Sequence, residues 1–320
     1  MLFLICILNL RGKMAKDNLK FEQLETASKK KKIIYRWILF LILGIFALYY
    51  ITPLYVMIVT SLKSMEEIRT GNLFYLPKTI NFDSWLEAWR GQLINTTSGL
   101  KVDAGNVYLK NYFWNSVKMV VPAVAISTIL GALNGYALTK WRFKYDNIIF
   151  LLFLFGTFIP YQAILLPMAR TLGVLGLSNS ITGLVVVHVI YGLCFTTLFC
   201  RNYYVSISDE IVRAARIDGA GFFKIFFKIM LPISLPILVV TVIWQFTQIW
   251  NDFLFGATFS FGEAAPIQVA LNNMVLTSTS VKRYNVDMAA AIIAGIPTLI
   301  VYVLAGKYFI RGLTAGSVKG

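Results

Sequence analysis

Long apolar blocks separated by polar ones, rather than the short alternations of a soluble fold, pattern this chain. Six blocks reach spanning length: residues 37–62, 112–139, 147–169, 181–199, 231–255 and 288–309. Each supplies the roughly 20 residues that a helix needs to cross about 30 Å of hydrocarbon. Backbone groups in lipid have no water to bond, so blocks of this kind are predicted to be helices. Between them, residues 63–110 and 260–287 read as two loops on one side of the membrane. Residues 200–230 are different. This stretch is too polar to span, yet it carries Ile, Val, Ala and Phe at regular spacing. Long connections inside compact proteins are usually functional or disordered, and this pattern predicts order.

Composition agrees with the pattern. The chain has 320 residues, is 58% hydrophobic and 14% charged, and has a mean hydropathy of +0.68. Soluble domains run at about 45–50% apolar and about 25% charged, so an ordinary soluble domain is excluded. The net charge of +15 would suggest a nucleic-acid partner in a soluble chain. Here its placement matters more. With both termini inside, the segments 1–36, 140–147, 200–230 and 306–320 hold 20 of the 30 Lys and Arg residues and 7 of the 15 acids. The reverse topology would put the run Lys29–Lys32 outside, against the rule that basic loops stay in the cytoplasm. The expected partner of this charge is membrane lipid and not nucleic acid.

The first ten residues are apolar but too short to span. They lack the basic start and small-residue cleavage site of a signal peptide. Met14 opens a Lys-rich polar stretch and is the expected native start, with residues 1–13 as an extension. Three cysteines (Cys6, Cys194, Cys200) and one histidine (His188) offer no disulfide framework and no multi-His metal site. The cysteines read as small apolar packing residues. No GxxxxGK[ST] sequence occurs, so any ATP that drives this protein is bound by another chain. No metal or other cofactor is expected in this one.

The loop 200–230 contains Ser208-Asp209-Glu210-Ile211-Val212-Arg213-Ala214-Ala215-Arg216-Ile217-Asp218-Gly219-Ala220. Ser208 suits a helix N-cap, and Asp209 and Glu210 suit the positive end of the dipole. Gly219 suits the C′ stop. A second amphipathic piece over 222–230 leads to Leu231 and Pro232, where a membrane helix begins. Two alanines would let a partner surface approach closely. On physical grounds alone, an interfacial amphipathic helix fits the same residues.

Ala214, Ala215, Asp218, Gly219, Ala220, Leu231 and Pro232 resemble the EAA loop of binding-protein-dependent ABC transporter permeases. The chain departs from that pattern at Arg213, where the family has a Glu before the two alanines. The tail KYFIRGLTAGSVKG (307–320) is similar to that of carbohydrate permeases related to the inner-membrane subunit of the maltose system. Wider stretches, among them FIPYQAILLPMARTLG and WQFTQIWNDFLFG, resemble the glucose/mannose branch. The resemblance runs from about residue 110 to the end.

It implies an all-α membrane protein of the type I ABC importer permease fold, with six transmembrane helices and a cytoplasmic coupling helix. The implied organisation is a basic tail over 1–36, a first helix over 37–62 and a periplasmic loop over 63–110. A core of five helices follows over 111–310, with the coupling loop at 200–230 and a cytoplasmic tail over 311–320. The implied partners are a second permease subunit, two cytoplasmic ATP-binding subunits and a periplasmic or extracellular sugar-binding protein. Localisation in a bacterial inner membrane, with both termini cytoplasmic, follows from the same comparison. Glu210, Arg213, Ala214, Ala215, Asp218, Gly219, Ala220, Leu231 and Pro232 would meet the ATPase, as would Arg311, Gly312, Gly316 and Lys319 of the tail.

A sugar pathway needs aromatic faces beside amides that can meet hydroxyls. Trp244, Gln245, Gln248 and Asn251 offer this on the fifth block, Tyr161 and Gln162 on the third and Asn134 on the second. The same residues also fit an interfacial Trp belt with polar interhelix contacts. Pro53, Pro122, Pro160, Pro167, Pro236 and Pro297 are expected to break or kink helices. Gly131, Gly135, Ala290, Ala294 and Gly295 are expected at close helix contacts. Two other function classes find less support in the sequence. An ion-driven secondary transporter needs intramembrane titratable groups, and only Asp252 and His188 offer themselves. A polytopic membrane enzyme needs a nucleophile–base pair or HExxH, and neither appears.

Overall fold

The computed structural model describes residues 2–91, 93–95, 101–103, 108–276 and 282–315, with side chains over 32–91, 108–276 and 282–306. In chain order the elements are α1 (Leu2–Ser61), α2 (Met65–Thr70), α3 (Asp83–Arg90), β1 (Leu93–Asn95), β2 (Lys101–Asp103), α4 (Leu109–Lys140), α5 (Asp146–Phe158) and α6 (Tyr161–Val174). There follow α7 (Ile181–Val205), α8 (Asp209–Ile217), α9 (Phe222–Ile225), a π-turn (Phe226–Met230), α10 (Leu231–Ile233), α11 (Leu235–Trp250), α12 (Leu254–Phe259), α13 (Ile267–Leu276) and α14 (Tyr284–Ala315). The two strands form one short antiparallel pair.

The chain divides into two compact units, Met1–Val59 and Thr60–Gly320. In the first, the stretch 37–51 of α1 is apolar on every side, with Trp37, Leu43 and Tyr50 all widely exposed. A helix of that kind belongs in hydrocarbon.

Among the described residues four straight helices can span a bilayer: Lys32–Ser61, Leu109–Lys140, Ile181–Val205 and Tyr284–Gly306. The blocks at 147–169 and 231–255 do not form straight helices. Asp146–Phe158 turns through 104° into Tyr161–Val174, and Phe222–Ile233 turns through 80° into Leu235–Trp250. Proline causes the first break. Pro160 has no N–H to continue α5 and disfavours the helical region at Ile159, whose ψ is 122°. At the second break Pro236 opens α11 and cannot bond back to α10. Pro53, Pro122, Pro167 and Pro297, by contrast, lie inside continuous helices. Proline at a span therefore breaks the helix at two of the six expected positions.

In the second unit α4 and α7 lie closest. A Cβ on Gly131 would stand 2.2 Å from Thr196 Oγ1, and one on Gly135 would stand 2.7 Å from the Arg201 amide nitrogen. The spacing GxxxG is what permits the approach. Thr196 Oγ1 donates to the Ser127 carbonyl across the same seam, at 2.9 Å. Ala290 and Ala294 are buried as expected, but a Cβ on Gly295 would meet nothing within 4 Å. Cys200 is buried as a packing residue.

Two apolar clusters result among the described residues. The larger joins α3, α4, α6, α7, α11, α12, α13 and α14 around Trp250, whose Nε1 donates to the Ala294 carbonyl at 2.9 Å. The smaller gathers Tyr136, Tyr204, Val212, Ala215, Ile225, Phe226 and Met230 where α4 and α7 meet α8 and α9.

The stretches 63–110 and 260–287, expected as loops, carry seated helices. Trp85 Nε1 in α3 donates to Ser61 Oγ at 3.2 Å. The Ile267 amide that opens α13 donates to Ser116 Oγ at 2.8 Å, and Asn115 Nδ2 donates to the Glu263 and Ala265 carbonyls. Both segments are apolar enough on one side to be held down by the larger cluster.

Candidate functional site

Local chemistry builds α8. The Ser208 hydroxyl accepts the Glu210 amide at 3.2 Å, and two acids fill the first turn. Gly219 ends the helix at φ 75°. The Ala220 amide donates to the Ala215 carbonyl at 2.9 Å and the Gly219 amide to the Arg216 carbonyl at 3.0 Å, which is a Schellman closure.

Val212 and Ala215, one turn apart, are the buried residues of α8. They insert into the smaller cluster. Of the paired alanines, therefore, Ala215 faces the protein's own core and Ala214 faces out. Glu210, Arg213, Asp218 and Gly219 are exposed. So is the apolar Ile217, at 86%, and Phe223 beyond it, at 62%.

Both ends of α8 are fastened to the end of α4. Lys140 Nζ bonds Asp209 Oδ1 at 2.6 Å and also donates to the Ile207 carbonyl. The Lys140 hydrogen bond and charge hold the Asp209 carboxyl below the usual carboxylate range. At the other end Arg216 Nη2 donates to the Lys140 carbonyl at 3.0 Å, and its guanidinium lies 4.0 Å from the Trp141 ring centroid. Trp141 rests edge-on against Phe222. Lys140, Trp141, Asp209 and Arg216 lie outside the matched positions of the loop motif. A hint was present in the sequence, because Asp209 and Arg216 sit in the first and last turns.

Leu231 and Pro232 follow the π-turn, where the Leu231 amide reaches back five residues to the Phe226 carbonyl. Such turns are rare and recur at functional sites. Tyr204 and Ser234 lock the same corner, with Ser234 Oγ donating to Tyr204 Oη at 2.8 Å. Arg311 and Gly312 lie in α14, outside the described side chains, and Gly316 and Lys319 lie outside the described residues.

A second feature is a cavity of about 470 Å³ between α6, α7, α11 and α12. Tyr161, Trp244, Gln245, Gln248 and Asn251 line it, together with Tyr191, Phe195, His188, Asp252 and Phe255. Gln162 and Asn134 do not. Asn134 instead donates from Nδ2 to Thr197 Oγ1 at 3.4 Å across the α4–α7 seam. Gln245 is buried at 2%, its Nε2 donating to Ser127 Oγ at 2.8 Å. It is packed so tightly on Gly192 that a Cβ there would stand 2.0 Å from Nε2. Gln245 thus braces the wall, whereas Gln248 and Asn251 are exposed. Trp244 packs its ring against Phe195 at 4.6 Å. Among the described residues no group of three or more His, Cys, Asp or Glu side chains could hold a metal ion.

A family model described as a binding-protein-dependent transport system inner membrane component matches residues 113–314. A probable ABC transporter permease protein of Pyrococcus horikoshii is 44% identical over 188 residues, 58% of this chain and 68% of its own length. The xylose/arabinose import permease protein of Haloferax volcanii is 32% identical over 286 residues, 83% of this chain and 87% of its own. The glucose import system permease protein of Saccharolobus solfataricus is 28% identical, over 91% of this chain and 99% of its own. Among solved structures, a bacterial ABC transporter involved in import of the acidic polysaccharide alginate shares the fold. The TM-score is 0.73 over 86% of this chain and 96% of that chain, at 23% identity.

Proposed function

The chain belongs to the family of binding-protein-dependent transport system inner membrane components, and from that membership we propose that it is the transmembrane permease subunit of an ATP-driven sugar importer. The observation that carries the reading is α8, a short helix capped at both ends and clamped to α4, with one apolar edge buried and the other face open. Its role is to dock into an ATPase subunit. Ile217 and Phe223 supply exposed apolar contact, and Glu210, Arg213, Ala214, Asp218, Gly219 and Ala220 surround them. Arg213 calls for an acidic residue on the partner where the family motif would call for a basic one.

Coupling is mechanical. Two ATPase subunits close on ATP and move the docked helices. Because α8 is fixed to α4 and α7, the movement reaches the helices around the cavity. ATP shifts the equilibrium only because the two states of the bundle contact the ATPase differently. Loop 200–230 and both termini face the cytoplasm, the tail with Arg311, Gly312, Gly316 and Lys319 lies against the ATPase, and the segments 63–110 and 260–287 receive the binding protein. A second permease chain completes the pathway. Sugar passes the cavity lined by Tyr161, Trp244, Gln248 and Asn251, a wall of aromatic faces and amides that suits a pyranose or pentose.

The test is to co-express the tagged chain with its genomic neighbours, purify it in mild detergent and measure hydrolysis with sugar-loaded binding protein. Co-elution of an ATPase, with hydrolysis stimulated by a neutral sugar, is expected. A folded chain that retains no ATPase would sink the reading.

A further inference from the structure

We propose that His188 and Asp252 form a hydroxyl-reading pair that makes the cavity selective for neutral sugars; the proposal rests on the cavity being the sugar pathway. His188, on α7, is 5% exposed and lines the cavity. Its Nε2 is buried without a hydrogen-bond partner. A buried polar atom left unpaired costs about 1–3 kcal/mol, and such atoms in a folded protein call for an explanation.

Asp252 follows α11 and faces the same space. Its Oδ2 accepts the Gly256 amide at 3.2 Å and its Oδ1 the Phe255 amide at 3.4 Å. The start of α12 thus aims the carboxylate. Oδ2 stands 3.7 Å from His188 Nε2, too far for a direct bond. A hydroxyl oxygen at the ordinary distance of about 2.8 Å from both atoms closes that triangle.

A hydroxyl is donor and acceptor at once. It donates a hydrogen bond to Oδ2 and accepts one from the Nε2–H of the neutral imidazole. A carbonyl or ether oxygen can satisfy only the histidine. Beside the pair, Tyr161, Tyr191 and Phe255 meet edge to face at 5.7–6.0 Å, which gives a rigid wall for the C–H face of a sugar ring. Asp252 is the one charged side chain in the lining, and no Lys or Arg stands there to balance a carboxylate. The lining therefore disfavours uronates and other anionic sugars.

The experiment uses the assembled complex with its binding protein in proteoliposomes. Uptake of D-glucose, D-xylose, L-arabinose and D-glucuronate is measured, followed by the monodeoxy analogues of the best substrate. A neutral sugar is expected to be carried in preference to glucuronate, and one monodeoxy analogue should lose at least about tenfold in uptake efficiency. His188→Gln and Asp252→Asn should each lose about tenfold on the parent sugar and level the discrimination against that analogue. The double variant should be no worse than the poorer single one, because both residues read one hydroxyl. Assembly is checked by co-elution. Wild-type protein that carries every monodeoxy analogue alike overturns the pair without any variant. Additive losses, or single variants within twofold of wild type, overturn it too. Stimulated hydrolysis with no sugar carried at all overturns the sugar reading itself, and the pair with it.

Discussion

Gly219 stops α8 with a positive φ of 75°, and the cost of replacing it can be worked from the backbone. A Cβ added at this position meets nothing within 4 Å. Packing against the rest of the protein therefore contributes nothing, and alanine pays only for its own backbone in the left-handed conformation, about 1–2 kcal/mol. At 1.4 kcal/mol per tenfold change, the frayed form of the α8 end gains roughly 5- to 30-fold. Proline locks φ near −65° and also deletes the Gly219 N–H bond to the Arg216 carbonyl. It cannot form the stop, and the cost is about 3 kcal/mol or more. Asparagine is larger than alanine yet enters the left-handed region more readily than most residues. If the stop is what matters, coupling falls in the order Gly, Asn, Ala, Pro. If instead a side chain here simply obstructs the ATPase, Asn falls below Ala. The assay is ATP hydrolysed per sugar transported by the reconstituted complex, with a melting curve to confirm that each variant is folded. Asparagine no better than proline, or proline with wild-type coupling, would refute the reasoning.

Three further outcomes follow from named contacts. Gly135→Ala places a Cβ 2.7 Å from the Arg201 amide nitrogen, so α4 and α7 must part at a cost of about 1–3 kcal/mol, while Gly295→Ala meets open space and should be neutral or slightly stabilising; melting in detergent should rank them that way, and equal melting points would contradict the close crossing. The Asp209 carboxyl is depressed by Lys140, so its contribution is present above the ordinary carboxylate range and is lost only as pH falls through its lowered value. Wild type and Asp209→Asn should therefore differ by a constant amount from about pH 5 to 8, and a difference that changes within that window would remove the ion pair from the explanation. Arg213→Glu, at an exposed position, should leave the melting point nearly unchanged, within about 0.5 kcal/mol. The same change should weaken ATPase retention in a salt-dependent way; salt-independent retention would place Arg213 outside the interface.

Most of the architecture was legible along the chain because bilayer thickness imposes a length and lipid forbids unpaired backbone. The four straight spans and the Ser208-to-Gly219 helix are of this kind: block length, cap chemistry and a left-handed glycine are local properties. The bends at Ile159–Pro160 and Ser234 were less legible. Six prolines looked alike in sequence, yet four sit in continuous helices, and nothing local in the sequence says which of them will break one. Gly295 failed as a packing glycine for the same reason. It shares the small size of Gly131 and Gly135, but a Cβ on it would meet nothing within 4 Å.

The candidate site divides along the same line. Residue types alone indicated an aromatic and amide surface, and Tyr161, Trp244, Gln248 and Asn251 do line one cavity. Which amide braces the wall and which faces the space depended on Ser127 and Gly192, more than fifty residues from Gln245 in the chain. His188 and Asp252 are 64 positions apart, and their 3.7 Å separation exists only after α7, α11 and α12 have packed. Membrane location, span length and the coupling-loop helix were thus determined by the sequence itself, since each depends on neighbours within one or two helical turns. The direction in which the alanines face, the lock of α8 onto α4 and the chemistry of the cavity were decided by tertiary structure, since each depends on which distant surfaces meet.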